Sequence, residues 1–298
     1  MALVAILIAN EARPAITDAV LTEARAVLAT GHRPRILHGT VAAEIPVPGA
    51  LAAAPALTER LRTALAGEPI DVSLLPADRH RRKRLFLADM DSTMIEQECI
   101  DELAETIGLK QQVSAITERA MRGEIAFEPA LRERVALLKD LSAGVAAALI
   151  RDRLTLTPGG RTLVRTMKRH GAHTCLVSGG FTLFTGPIAA TLGFDAHHAN
   201  RLGLADGRLT GTVEDPIVGR PEKRVTLIEL RTRLGLDPAE TLAVGDGAND
   251  LDMLAEAGLG VAFRAKPAVA AAADARVEHG DLSALLYLQG FTASEFVG

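Results

Sequence analysis

An unbroken apolar run, ALVAILIA, opens the chain and predicts a β-strand. AITDAVLTEARAVLAT follows with apolar residues at helical spacing, and RPRILHGTVAAEIPV reads as one strand or two. ALTERLRTALAG then predicts a second helix and PIDVSLLP a last strand. The order β-α-β-β-α-β over residues 1–80 predicts a small α+β domain of ferredoxin-like type. No cluster of residues within it has a catalytic look. The basic run RHRRKR at 79–84 is short, lacks interleaved aromatics and leads straight into the next strand. It reads as a solvated linker rather than a nucleic-acid patch.

From residue 85 to the end at 298 strands and helices alternate: LFLAD, a long helical block, HTCLVSGG, a helix, DAHHANRL, a hairpin, a helix, TLAVGDG, a helix, LGVAF, a helix. That alternation predicts an α/β fold, a doubly wound parallel sheet with helices on both faces. The block from about 97 to 155 is almost wholly helical and predicts a cap inserted after the first strand of that sheet. RLGLADGRLTGTV at 201–213 carries an Asp-Gly pair between alternating residues, a hairpin signal.

Composition narrows the class. With 48% hydrophobic and 23% charged residues the chain has ample material for a core, and a net charge of −4 implies no general attraction to nucleic acid or anionic lipid. Two cysteines, Cys99 and Cys175, without metal-ligand spacing argue against a disulfide framework or zinc site and fit a reducing compartment. The apolar N-terminus has no basic lead and ends at Asn10, and no stretch approaches a membrane span. A cytoplasmic protein without nucleic-acid or membrane partners is the expectation.

The candidate chemistry sits where apolar strands end. LFLADMDSTMIEQECIDEL at 85–103 places Asp89 and Asp91 two apart after an apolar run, a costly juxtaposition unless something offsets the charge. Asp89, Ser178 and Asp246 each end a strand candidate, and such ends gather at one crevice in doubly wound sheets. GDGANDLDM adds Asp250, and carboxylate and carbonyl oxygens suit a hard cation such as Mg²⁺. Asp89, Asp246 and a backbone carbonyl near Asp91 form the expected metal set. VSGGF offers the Ser178 hydroxyl and the amides of Gly179 and Gly180 at an expected helix start, an anion site. Among six lysines, Lys223 lies between these motifs and opens a helix, which suits it to complete the charge balance.

D-x-D-S-T, S-G-G, a lysine and G-D-G-x-N-D, in that order, resemble the four motifs of the haloacid dehalogenase-type phosphatases. The resemblance implies a nucleophilic Asp89 that becomes an aspartyl-phosphate, Asp91 as general acid and base, and Ser178 and Lys223 on the phosphoryl oxygens. It also implies one Mg²⁺ per site on Asp89, Asp246 and the Asp91 carbonyl, with Asp250 behind them and Asn249 beside the substrate. DMDSTMIEQECIDELA, AMRGEIAFEPALRERVALLKDL and ANRL…DGRLTG extend the similarity, over residues 85 to about 290, to the phosphoserine phosphatase branch. That match implies Glu98 for a substrate ammonium, Arg134 for its carboxylate and an apolar cover from Met121 and Phe127. The implied substrate is O-phospho-L-serine, hydrolysed in the last step of serine biosynthesis, and a homodimer is compatible with the pattern. The rivals are the same chemistry on phosphohomoserine, phosphothreonine or a sugar phosphate, and a non-catalytic amino-acid sensor. Two departures stand out: bulky Arg224 follows Lys223, and the first 80 residues, which look like a divergent amino-acid-binding (ACT-like) module, lie outside the catalytic match.

Overall fold

A computed structural model describes residues 3–49, 51–121 and 124–298. The N-terminal elements are β1 (Leu3–Ala9), α1 (Asp18–Val27), β2 (Arg35–His38), β3 (Ala42–Val47), α2 (Ala54–Ala64) and β4 (Ile70–Pro76). The four strands form an antiparallel sheet in the order β2-β3-β1-β4, as a ferredoxin-like arrangement requires. All seven residues of β1 are buried, which explains its unbroken apolar run. Leu3, Ala5, Leu7 and Ala9 pack with α1 and α2, while Val4, Ile6 and Ile8 join the core of the remaining chain.

That remaining chain begins with β5 (Leu85–Ala88), followed by the helices α3 (Cys99–Glu105), α4 (Lys110–Met121), α5 (Phe127–Ala136) and α6 (Gly144–Asp152). Next come α7 (Gly160–Arg169), β6 (His173–Phe181), α8 (Thr182–Leu192), β7 (Ala196–Asn200) and a hairpin of β8 (Leu202–Ala205) and β9 (Arg208–Val213). The chain ends with α9 (Arg220–Arg233), β10 (Thr241–Gly245), α10 (Leu251–Glu256), β11 (Leu259–Phe263), α11 (Pro267–Ala272), β12 (Ala275–Val277) and α12 (Ala284–Leu288). Six strands form a parallel sheet in the order β12-β11-β10-β5-β6-β7. From β5 the chain winds outward through β6 and β7, then returns to build β10 to β12 on the other side. The crevice at the carboxyl ends of β5 and β10 is therefore the topological switch point. Helices α3 to α6 form the cap above it. The hairpin turns on Asp206 (φ 49°) and Gly207 (φ 72°), the paired positive φ values of a two-residue turn.

The basic run is a clasp, which corrects its reading as a solvated linker. Arg81 pairs with Glu44 of β3 at 2.6 Å and donates to the Leu288 carbonyl at 3.1 Å. Arg82 pairs with Glu295 at 2.8 Å and stacks over the Phe291 ring. Lys83 donates to the Ala239 carbonyl at 2.7 Å. Beside this clasp, buried Asp71 of β4 accepts the backbone amides of Glu278 (2.7 Å), His279 (3.1 Å) and Gly280 (2.8 Å). The N-terminal sheet is thus fastened to the end of the chain by charge as well as by apolar contact.

Candidate active site

Asp89 follows directly on β5, whose four residues are all buried. The chain then makes a wide loop closed by the Ile95 amide on the Met90 carbonyl (3.0 Å), with Ser92 at φ 55°. This loop sends Asp89 and Asp91 into one cleft of about 610 Å³, lined also by Glu98, Arg134, Ser178, Gly179, Gly180, Asp246 and Asn249. Lys223, in the first turn of α9, reaches the floor of the site from behind. Its Nζ lies 2.7 Å from Asp89 Oδ1 and 2.7 Å from Asp250 Oδ1, and its side chain is wholly buried. Burial alone would lower the lysine's pKa; the Asp250 and Asp89 carboxylates outweigh it and hold the group above its usual value. Asp250 Oδ2 also accepts the Gly247 amide at 3.0 Å. Gly245 makes room for this carboxyl group, since a Cβ there would lie 2.4 Å from it.

The remaining acids carry raised pKa values, each chiefly because burial disfavours charge. Asp89 is well above the usual range, with Asp250 adding repulsion. Asp91 rises to about 7, with Glu98 the second cause, and its carboxylate accepts the Cys99 amide at 3.3 Å. Asp246 rises to about 6 and accepts the Thr93 hydroxyl at 3.3 Å. Carboxylate oxygens of Asp89, Asp246 and Asp250 lie within 4.8 Å of one another. Three acids against one lysine leave a surplus of negative charge, and every donor is oxygen, so the set fits a hard divalent cation. A second acidic group, Asp71 with Glu278 and His279, is accounted for by the amide bonds that Asp71 accepts.

Ser178 is buried at the carboxyl end of β6 and accepts the Gly180 amide at 2.8 Å. Gly179 and Gly180 belong to the strand, which runs on through Phe181 before α8 begins at Thr182. The expected helix start at the glycines is therefore corrected. Glycine is needed there for close approach: a Cβ on Gly180 would lie 2.9 Å from Asp91 Oδ2. Phe127 opens α5, and its ring would meet a Cβ on Gly179 at 3.4 Å and one on Gly219 at 3.3 Å, so it lies over the carboxyl end of β6.

Arg134 of α5 lines the same cleft and is half-buried, donating to the Thr117 hydroxyl and the Ala130 carbonyl, each at 3.2 Å. Among the described residues it forms no ion pair. Burial lowers its pKa, and Asp101 and Glu98 partly restore it. Glu98 accepts the Ser92 hydroxyl at 2.6 Å at the cleft mouth. The side chain of Met121, expected over the substrate, lies outside the described residues. Arg224 does not obstruct the site: it points outward to Glu256 at 2.7 Å.

Three contributors escaped the sequence reading. Asn200, at the end of β7, is buried and donates to the Gly179 (2.8 Å) and Val218 (3.1 Å) carbonyls while accepting the Val218 amide (2.7 Å). It joins the Ser178 strand end to the loop that leads into Lys223. Its only signal is a polar residue at a strand end in ANRL. Lys266 and Arg220 also line the cleft.

The sequence profile of the haloacid dehalogenase-like hydrolases matches residues 86–255, more than half of the chain. The chain belongs to that family. Within it, the chain is 47% identical over 243 residues to a phosphoserine phosphatase of Streptomyces coelicolor, covering 80% of this chain and 59% of that relative's length. The solved structure of a probable phosphoserine phosphatase from Vibrio cholerae, 31% identical, superposes with a TM-score of 0.80 over 99% of this chain and 88% of that one. A phosphoserine phosphatase solved as a phospho-aspartyl intermediate analogue, 41% identical, gives a TM-score of 0.64 over 69% of this chain and 98% of that one.

Proposed function

We propose that the protein is a Mg²⁺-dependent phosphatase that hydrolyses O-phospho-L-serine to L-serine and phosphate. The observation that carries the reading is one cleft holding three kinds of partner. Asp89 meets Lys223 on the floor, Arg134 on one wall forms no ion pair among the described residues, and Glu98 stands at the mouth. A phosphorylated amino acid presents one group for each: a phosphoryl group, a carboxylate and an ammonium. Arginine suits the carboxylate because its planar fork binds it bidentately.

In the first half-reaction an Asp89 oxygen attacks phosphorus and the bond from phosphorus to the serine oxygen breaks. Asp91, whose pKa raised to about 7 leaves a large fraction protonated at neutral pH, gives its proton to that leaving oxygen. In the second half the Asp91 carboxylate takes a proton from water as the water attacks phosphorus of the aspartyl-phosphate. Phosphate leaves, Asp89 is restored and Asp91 is protonated again. Lys223 and Ser178 stabilise charge on the transferring oxygens, and Phe127 covers the strand end against bulk water. Mg²⁺ held by Asp89, Asp246 and the Asp91 carbonyl would neutralise charge building on the phosphoryl group. No helix of the described residues is long and apolar enough to cross a membrane, and we place the activity in the cytoplasm.

The test is phosphate release from phosphoserine, phosphothreonine, phosphohomoserine, two sugar phosphates and p-nitrophenyl phosphate, with and without Mg²⁺. A metal-dependent preference for phosphoserine is expected. Metal-dependent release without that preference would remove the roles given to Arg134 and Glu98 and keep the chemistry of Asp89.

A further inference from the structure

We propose that the β8–β9 hairpin is a specificity brace, with Gly211 as the residue that positions α5 and, through it, Arg134. The inference rests on the carboxylate role proposed for Arg134. Strand β9 turns Leu209, Gly211 and Val213 to one side, and Leu209 and Val213 are buried in the same core cluster as Leu131 and Val135 of α5 and Leu138 beyond it. Between them Gly211, at φ +80°, is in backbone contact with the end of that helix. A Cβ built on it would lie 3.0 Å from Lys139 Cβ and 3.3 Å from the Ala136 carbonyl oxygen. Ala136 is two residues from Arg134, so a shift that relieves this contact moves the segment that carries the guanidinium.

The hairpin is also tied to the cap by hydrogen bonds. The Asp140 amide donates to the Leu209 carbonyl and the Leu209 amide to the Leu141 carbonyl, both at 2.8 Å. The Ala143 amide donates to the Gly207 carbonyl at 2.9 Å, and Arg208 donates to the Asp140 carbonyl at 2.7 Å. Arg132, on α5 itself, reaches Asp215 just beyond the hairpin. The far end of α5 is thus held by an element rooted in the parallel sheet, whereas its near end places Phe127 over Gly179. Bidentate recognition tolerates little displacement, so a few tenths of an ångström at Arg134 weakens it while leaving the floor of the site alone.

Gly207 supplies a matched control. It too has positive φ, +72°, but a Cβ there meets nothing within 4 Å. Gly207→Ala therefore adds backbone strain without a push on α5. The experiment measures KM and kcat for phosphoserine and for p-nitrophenyl phosphate, with melting temperatures, in wild type, Gly207→Ala and Gly211→Ala. Gly211→Ala is expected to raise KM for phosphoserine about 10-fold and to change the aryl phosphate constants less than about 2-fold. Gly207→Ala is expected to lower the melting temperature without moving the ratio. In an Arg134→Ala background the Gly211→Ala effect on phosphoserine is expected to vanish, because the glycine acts through that arginine. Should Gly211→Ala fail to fold, Arg132→Met unties the same helix without adding an atom to the packed face, and a smaller shift in the same direction is expected. Equal effects of the two glycine variants on the substrate ratio would overturn the proposal. So would persistence of the Gly211→Ala effect without Arg134, or an unchanged ratio in Arg132→Met if that variant stands in. A wild-type protein with no phosphoserine preference would instead overturn the underlying reading of Arg134, so the two failures are distinguishable.

Discussion

Lys223 and Asp250 meet at 2.7 Å, and neither side chain is reached by solvent. A buried pair of this kind is costly to break, because removal of one partner strands the other's charge. Asp250 thereby holds the Lys223 ammonium against Asp89, the position in which the proposed mechanism uses it.

Asp250→Ala is therefore expected to cost about 3–5 kcal/mol of stability and to reduce kcat by at least about 10²-fold. Asp250→Asn keeps the shape and an acceptor, so its stability loss should be smaller while the kcat loss persists. Denaturant titration and steady-state kinetics on the same preparations read both quantities. A stable, fully active Asp250→Ala protein would contradict the role given to the pair.

Arg134→Ala is expected to lower kcat/KM for phosphoserine by about 10²-fold, the scale of a charge-assisted contact, and to leave p-nitrophenyl phosphate nearly unaffected. Equal losses on both substrates would refute the carboxylate contact. Among the described residues no acid pairs with this arginine, so the loss cannot be assigned to a broken ion pair.

Metal binding should depend on pH with a definite sign. Asp246 (about 6) and Asp89, which burial also raises, hold protons at mildly acidic pH that a divalent cation must displace, whereas Asp91 offers its backbone carbonyl and keeps its own proton. Affinity for Mg²⁺ should strengthen as pH rises from 5 through 7, with release of roughly one to two protons near pH 6. Calorimetry in buffers of different ionisation enthalpy counts those protons. Affinity that weakens with rising pH over this window would be inconsistent with the raised values.

The N-terminal sheet is a structural partner of the chain's end. Asp71→Ala strands three backbone amides and should cost about 2–4 kcal/mol, visible as a melting temperature lowered by several degrees. Deletion of residues 1–80 takes His38 from buried Tyr287 and removes Val4, Ile6 and Ile8 from the core they share with Tyr287 and Leu288. The truncated protein is expected to aggregate or to lose its cooperative transition, and a soluble, cooperatively melting fragment would contradict this.

Much of the architecture was legible because apolar runs mark strands and the functional residues stand where those runs stop. Asp89, Ser178 and Asp246 were found that way, and the structure gathers them around one cleft. What was not legible depends on partners distant in sequence. RHRRKR looks solvated until the chain brings Glu44, Leu288 and Glu295 to it. Gly179 and Gly180 read as a helix start because a glycine pair follows an apolar strand, whereas here they belong to the strand and keep it clear of Asp91 and Phe127. Asn200 lay within the matching ANRL stretch, but nothing there marked it out, since its role lies in bridging Gly179 and Val218 in space.

The most direct test of the account is to trap phosphate on Asp89. In Asp91→Asn the second half-reaction lacks its base, while p-nitrophenyl phosphate, with a stable phenolate leaving group, needs no acid in the first. Acid quenching of that variant with this substrate and Mg²⁺ should show a burst of nitrophenolate near one per protein and a phosphoryl group on the peptide that carries Asp89. Phosphoryl label on another residue, or an Asp89→Asn protein that still turns over, would contradict the nucleophile on which the whole reading stands.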